Sequence, residues 1–284
     1  MTTQTLSRPA LIEALDRSST HRTTPVGGGG DMVWRIWGKG DPLVLLHGGT
    51  GSWMHWMRNV EDLARDFMLL VPDIPGSGES ASMALPITVD KVAAALVTGI
   101  DAIVGPDRSF SVAGFSMGGL ISGYVAKLAG DRLTSLVLVG ATGTTAPRAA
   151  GEPLKSWRRL PTDAAKREAH RKNLGILMIH DSNKIDDIAV YMQHHNAERS
   201  RIRGKHLAST GDLTKSLPGF TGRLAGIWGE HDITAVPYLA ERRQKLEEFR
   251  PGASFDIVPG AGHWVQYEAP EAFNRLLHAR LRGT

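Results

Sequence analysis

At 284 residues, 42% of them hydrophobic, the chain is long enough for one large α/β domain with an insertion and can bury a full core. The absence of cysteine excludes disulfides, thiolate metal sites and cysteine nucleophiles, and fits a cytoplasmic protein. A formal charge of +4 comes with no basic run interleaved with aromatics, and no stretch reaches the roughly 18 apolar residues of a membrane span, so neither nucleic acid nor a membrane is expected as partner.

Residues 8–17 are predicted as a short helix capped by Ser7, with Leu11, Ile12 and Leu15 on one face. The polar stretch running on to Gly27-Gly28-Gly29-Gly30 reads as flexible, making residues 1–30 a lead-in. No Gly-Lys-Ser/Thr follows those glycines, so they are a linker rather than a phosphate loop. Met32, Trp34 and Ile36 alternate as a strand. Leu43 to Leu46 is a continuous apolar run, the signature of a strand buried on both faces of a parallel sheet. It empties into His47-Gly48-Gly49-Thr50-Gly51-Ser52, a glycine-rich loop at the carboxyl edge, where open α/β sheets place their ligands. A helix over 53–66, a buried strand over 68–71, a turn-rich loop over 72–80 and an amphipathic helix over 89–104 follow. Alternating strands and helices of this length define a parallel sheet wound on both faces.

From Ser109 to Gly130 a short strand turns into a small-residue helix around Gly114-Phe115-Ser116-Met117-Gly118. In the Gly-x-Ser-x-Gly pattern the turn is so sharp that the serine is strained, and the flanking glycines leave room that a β-carbon would fill. Ser116 then projects its hydroxyl above the sheet at the positive end of the helix. After an apolar strand over 133–139 the alternation breaks. Residues 143–217 show helical patches at 163–174 and 186–199 but no strong strand. They hold 14 Lys and Arg against 8 Asp and Glu, so this insertion carries more than the whole net positive charge. The sheet resumes at 223–228 and ends in Gly229-Glu230-His231-Asp232; a helix over 237–249, a strand over 254–258, the turn Pro259-Gly260-Ala261-Gly262-His263-Trp264 and a helix over 270–282 complete the chain.

A serine hydroxyl is a poor nucleophile at neutral pH unless an imidazole lies within hydrogen-bond reach and a carboxylate orients that imidazole. Three strand ends on one sheet edge supply the set, in the order Ser116, Asp232, His263. His47 and His231 are rival bases, and Glu230 and Asp73 rival acids. No His, Asp or Glu cluster has metal-ligand spacing, so no metal is expected.

These pieces resemble the α/β-hydrolase family over nearly the whole chain outside the insertion: His47-Gly48-Gly49, Asp73 to Ser80, Gly114 to Gly119, Gly229 to Asp232 and Gly260 to Trp264. The resemblance implies Ser116 as nucleophile, His263 as general base and then acid, Asp232 as its orienter, and the N–H groups of Gly49 and Met117 as oxyanion hole. It places Gly48, Phe115 and Trp264 at the substrate and requires no cofactor. It also implies a helical cap, residues 143–217, inserted after the sixth strand between core segments 31–142 and 218–284. Serine at the nucleophile position argues against the dehalogenases and epoxide hydrolases of this fold, which use aspartate. Gly262 to Glu268 looks like the end of the hydrolases that cleave carbon–carbon bonds in meta-cleavage products. Phe115 beside the nucleophile is instead similar to esterases, and Gly49-Thr50-Gly51-Ser52 departs from the meta-cleavage type. The expectation is therefore hydrolysis of an ester, lactone or amide of a small organic substrate, with carbon–carbon hydrolysis and a small-ligand receptor as alternatives. Arg199, Arg201 and Arg203 recur at alternate positions, and Arg199 is expected to reach the pocket and grip a substrate carboxylate through paired hydrogen bonds. A homodimer is left open.

Overall fold

The computed structural model describes residues 9–147, 151–202 and 204–283. The first helix is α1 (Ala10–Ser18), entered from Pro9, while the expected Ser7 cap lies outside the described residues. The first four strands are β1 (Thr20–Pro25), β2 (Asp31–Trp37), β3 (Asp41–Leu46) and β4 (Phe67–Pro72), with α2 (Val60–Leu63) before β4. Then come α3 (Val89–Val104), β5 (Phe110–Phe115), α4 (Met117–Ala129) and β6 (Leu133–Val139). The sheet closes with β7 (Arg223–Gly229) and β8 (Ser254–Val258), in spatial order β1-β2-β4-β3-β5-β6-β7-β8. β1 pairs antiparallel with β2, and β2 antiparallel with β4, whereas every pairing from β4 to β8 is parallel.

The stretch expected to be a flexible lead-in is thus an edge strand. Only Thr24 of β1 is buried, so apolar alternation was absent, and a polar edge suits a strand whose outer side stays unpaired. The four glycines are the hairpin turn: Gly27 to Gly30 all have positive φ, between 71° and 109°.

Alternate residues of the central strands feed two cores. Leu43 and Leu45 face one layer with Leu69, Val71, Val137 and Val139, against Ile12 and Leu15 of α1. Val44, Leu46, Leu70, Val112 and Leu138 face the other, against α3 and α4. The helix expected over 53–66 is broken into a 3-10 turn, Trp53–Trp56, and the short α2. Trp53, Met54, His55 and Trp56 are all buried, and four successive buried side chains do not fit a helix that offers one face to a sheet.

Between β6 and β7 the described residues form α5 (Asp163–Leu177), α6 (Asp187–Arg199), α7 (Gly204–Ser209) and α8 (Leu213–Ser216). Thr162 caps α5 by accepting from Ala165 N, and Asp186 caps α6 by accepting from Ala189 N. After β7 come α9 (Leu239–Phe249), which begins two residues beyond Pro237, then α10 (Val265–Glu268) and α11 (Pro270–Arg282). None of the described helices is long and apolar enough to cross a membrane.

Candidate active site

Ser116 sits between β5 and α4 at φ 53° and ψ −113°, a left-handed conformation rare for a residue with a side chain. Its N–H donates to the Val139 carbonyl at 2.8 Å, which fixes the turn to β6. The glycines are required by contact: a β-carbon on Gly114 would lie 2.5 Å from the Gly118 carbonyl oxygen, and one on Gly118 2.5 Å from those of Leu46 and His47.

Three strand-end loops bring the expected residues together. Ser116 Oγ lies 3.1 Å from His263 Nε2, and His263 Nδ1 lies 2.9 Å from Asp232 Oδ2. His263 and Asp232 are buried. The other carboxylate oxygen, Oδ1, accepts from the backbone N–H and the hydroxyl of Thr234, both at 2.8 Å. Burial pushes the Asp232 carboxyl up, but the His263 charge and hydrogen bond and the two Thr234 bonds outweigh it, so its pKa is lowered. Thr234 was not singled out from sequence, although Asp-x-Thr is the spacing of a local turn in which a carboxylate accepts two residues on.

The rivals are occupied elsewhere. His47 Nδ1 donates to the Gly48 carbonyl at 2.8 Å, and its Nε2 accepts from Ile74 N at 2.9 Å. Burial lowers its pKa, so it braces the loop as a neutral ring. Asp73 accepts from Trp53 N and pairs with the buried Arg35. Glu230 accepts from Gly260 N, and His231 stacks on His180 with ring centroids 3.8 Å apart.

Of the expected substrate contacts, Phe115 lines the cavity of about 580 Å³ above Ser116, together with Gly49, Met117 and Thr142. Gly48 and Trp264 do not line it. Gly48 lies beneath, where a β-carbon would meet the Phe115 ring at 2.9 Å, and Trp264 is buried with its indole N–H on the His55 carbonyl. Arg199 also departs from expectation. It is exposed at the end of α6, its guanidinium 3.1 Å from His195 Nδ1, and it is not among the cavity residues. By helical period Arg199 follows the face of the buried Met192 and Asn196, but it is the last residue of α6, where Ser200 turns to extended backbone, so its long side chain runs past the helix end into solvent. Arg201 bonds the carbonyls of Gly78 and Ser80, and Arg203 lies outside the described residues.

His55, which the expected helix over 53–66 hides, also reaches the site. Its Nδ1 accepts from Gly48 N at 3.2 Å, and its ring would meet a β-carbon on Gly51 at 2.3 Å. Burial, then the neighbouring His47 and His263, hold its pKa well below the usual imidazole value. The signal available was a histidine seven residues after the Gly48 N–H that it holds.

A parallel sheet with a strained serine between strand and helix, facing a buried His–Asp pair, defines a hydrolase of the α/β type. The sequence profile of the alpha/beta hydrolase family matches residues 43–276, and the chain belongs to that family. It is 27% identical over 280 residues to the 2-hydroxy-6-oxo-6-phenylhexa-2,4-dienoate hydrolase of Burkholderia cepacia, spanning 92% of this chain and 96% of the relative. It is 26% identical over 258 residues to the pimeloyl-[acyl-carrier protein] methyl ester esterase of Vibrio vulnificus strain CMCP6, spanning 86% and 95%. Its fold matches the meta-cleavage product hydrolase of Pseudomonas fluorescens IP01 with a TM-score of 0.74 at 20% identity, over 92% of this chain and 97% of that one.

Proposed function

We propose that the protein is a serine hydrolase that cleaves an ester, lactone or amide bond of a small organic substrate through an acyl-enzyme. The observation that carries this reading is the Ser116–His263–Asp232 chain, with links of 3.1 and 2.9 Å. Asp232, accepting from Nδ1–H, keeps His263 Nε2 free of a proton and able to take that of Ser116 Oγ as the oxygen attacks the carbonyl. The imidazolium then protonates the leaving group, and a water, deprotonated by the same nitrogen, releases the acid. The N–H groups of Gly49 and Met117 receive the oxyanion; both residues border the Ser116 cavity, and α4 begins at Met117, so its dipole adds to the stabilisation.

Residues 143–217 act as the cap: Leu154, Ile176, Leu177 and Met178 give the cavity an apolar roof. That apolar roof and the acidic Glu152 beside it favour an uncharged acyl group over a carboxylate-bearing one. A second reading, hydrolysis of a carbon–carbon bond, is favoured by the activity named for the Burkholderia cepacia relative.

Treatment with a fluorophosphonate and digestion tests the nucleophile. The label is expected on Ser116; a label on another serine with Ser116 unmodified refutes it. Turnover of simple esters without turnover of a dienoate ketone separates the two reactions.

A further inference from the structure

The buried Glu268, at the end of α10, is not part of the Ser–His–Asp chain, yet its carboxylate gathers three backbone N–H groups from two separate segments. Oε2 accepts from Gly262 N at 2.7 Å and from His180 N at 3.1 Å, and Oε1 accepts from Asp181 N at 2.8 Å. Gly262 immediately precedes His263. His180 and Asp181 belong to the insertion, just after α5. A second bond runs beside these, from Trp264 N to the Met178 carbonyl at 2.7 Å. Gly262 permits the approach, since a β-carbon there would lie 2.8 Å from His180 N and 3.1 Å from the Met178 carbonyl oxygen.

The same seam is fastened further out. Lys184 donates to the Glu268 carbonyl at 3.0 Å, and Tyr267 donates to Asp186, the cap of α6, at 2.7 Å. Met178, the insertion residue whose carbonyl holds Trp264, also lines the cavity above Ser116. The roof that a long acyl chain touches and the loop that carries His263 are therefore tied to one carboxylate.

We propose that Glu268 is a positioning residue that couples seating of the acyl chain under the cap to the placement of His263. The inference rests on the serine-hydrolase reading. Charge-assisted hydrogen bonds from three N–H donors hold more firmly than neutral ones, and a buried acceptor has no water to replace a lost partner. In Glu268→Gln the amide retains one oxygen and turns an NH2 toward an N–H group, so the loop and the roof loosen together.

The test uses p-nitrophenyl acetate, too small to reach the roof, and p-nitrophenyl octanoate, which extends to it. Rates are normalised to sites titrated by a fluorophosphonate, so loss of folded protein does not count. Glu268→Gln is expected to lower kcat per titrated site about tenfold on both esters, since sub-ångström misplacement of a catalytic base costs rates of that order, and to raise KM about threefold for octanoate alone. Lys184→Met, on the outer fastening, is expected to leave acetate kcat unchanged and to raise the octanoate-to-acetate KM ratio by about twofold. Values per titrated site equal to wild type for both esters in Glu268→Gln, or an octanoate-to-acetate KM ratio unmoved in both variants, overturn the proposal. Should Glu268→Gln fail to fold, the Lys184→Met ratio decides alone. A wild-type protein that neither labels at Ser116 nor hydrolyses either ester refutes the hydrolase reading instead, a result distinct from unchanged variants of an active enzyme.

Discussion

Asp232→Asn isolates the orienting role of the carboxylate because the surroundings dictate how the amide must sit. Oδ1 of Asp232 accepts two donors, Thr234 N and Thr234 Oγ, while Oδ2 faces His263 Nδ1 at 2.9 Å. In the variant the amide oxygen keeps the Thr234 side, where two donors require an acceptor, and the NH2 faces the imidazole. Nδ1 must then accept, so the proton moves to Nε2, the atom that lies 3.1 Å from Ser116 Oγ and has to take its proton. The ring is held in the wrong tautomer with its position unchanged, a defect that costs on the order of 10⁴ in turnover. At about 1.4 kcal/mol per factor of ten, this is roughly 5.5 kcal/mol of transition-state stabilisation. The assay is kcat on a chromogenic ester, alongside a thermal melt and a far-ultraviolet circular dichroism spectrum to establish folding. Turnover above about a tenth of wild type, in a variant that folds normally, would refute this use of Asp232, since the tautomer argument allows no such residue of activity. Glu230, bonded to Gly260 N on the surface, would then need testing as Glu230→Gln.

Gly118→Ala normally adds helix propensity, but here the new methyl meets two carbonyl oxygens at 2.5 Å, so a loss of about 1–3 kcal/mol in urea denaturation is expected rather than a gain; a neutral result sinks the close-approach argument. Arg199→Ala should alter kcat/KM by the same small factor for a carboxylate-bearing ester and its methyl ester, because the guanidinium contacts His195 and faces solvent; a selective loss on the anionic substrate would restore the grip expected from sequence. Stability should fall in mild acid. Burial lowers the pKa of His47 and His55 and brings His170 down to about 4, so above an unfolded value near 6.5 each ring is neutral in both states and the stability is fully present. As pH drops below that value the unfolded chain takes up protons that the native rings refuse, and stability declines by up to about 1.4 kcal/mol per pH unit for each such ring. Urea midpoints at neutral and mildly acidic pH measure the slope, which should shrink in His170→Phe; a flat profile in wild type would contradict the neutral-ring assignment.

The parts of the fold legible in sequence are those where one local rule has one outcome. A strand buried on both faces must be apolar throughout, as Leu43 to Leu46 is, and a serine strained between strand and helix needs the glycines at 114 and 118 whatever surrounds it. Legibility fails where a tertiary partner sets the outcome. Arg35 occupies a strand position that alternation assigns to solvent, yet it is fully buried, because Asp16 from α1 and Glu79 from the loop after β4 join Asp73 around its guanidinium. Those charges raise its pKa despite the opposing effect of burial. β1 escaped notice for the converse reason: an edge strand needs no apolar period, and only its pairing with β2 reveals it.

The insertion shows why charge counts read poorly as site chemistry. Its surplus of Lys and Arg suggested an anion trap, but the helices spend many of these groups on their own construction. Arg171 pairs with Asp187 and donates to the Ile185 carbonyl, Lys166 lies near Asp163 and Glu198, and Arg201 ties the insertion to the loop carrying Ser80. Cationic side chains used this way hold one segment over another without entering the cavity, whose roof is aliphatic. The motif from Gly262 to Glu268, by contrast, is legible in sequence only as a family likeness, while the structure gives Glu268 a physical task that its position six residues after Gly262 does not disclose. That task exists only because residues 180 and 181 come to the same carboxylate from across the chain, and it joins the insertion to the loop that carries His263 rather than leaving it a separate layer.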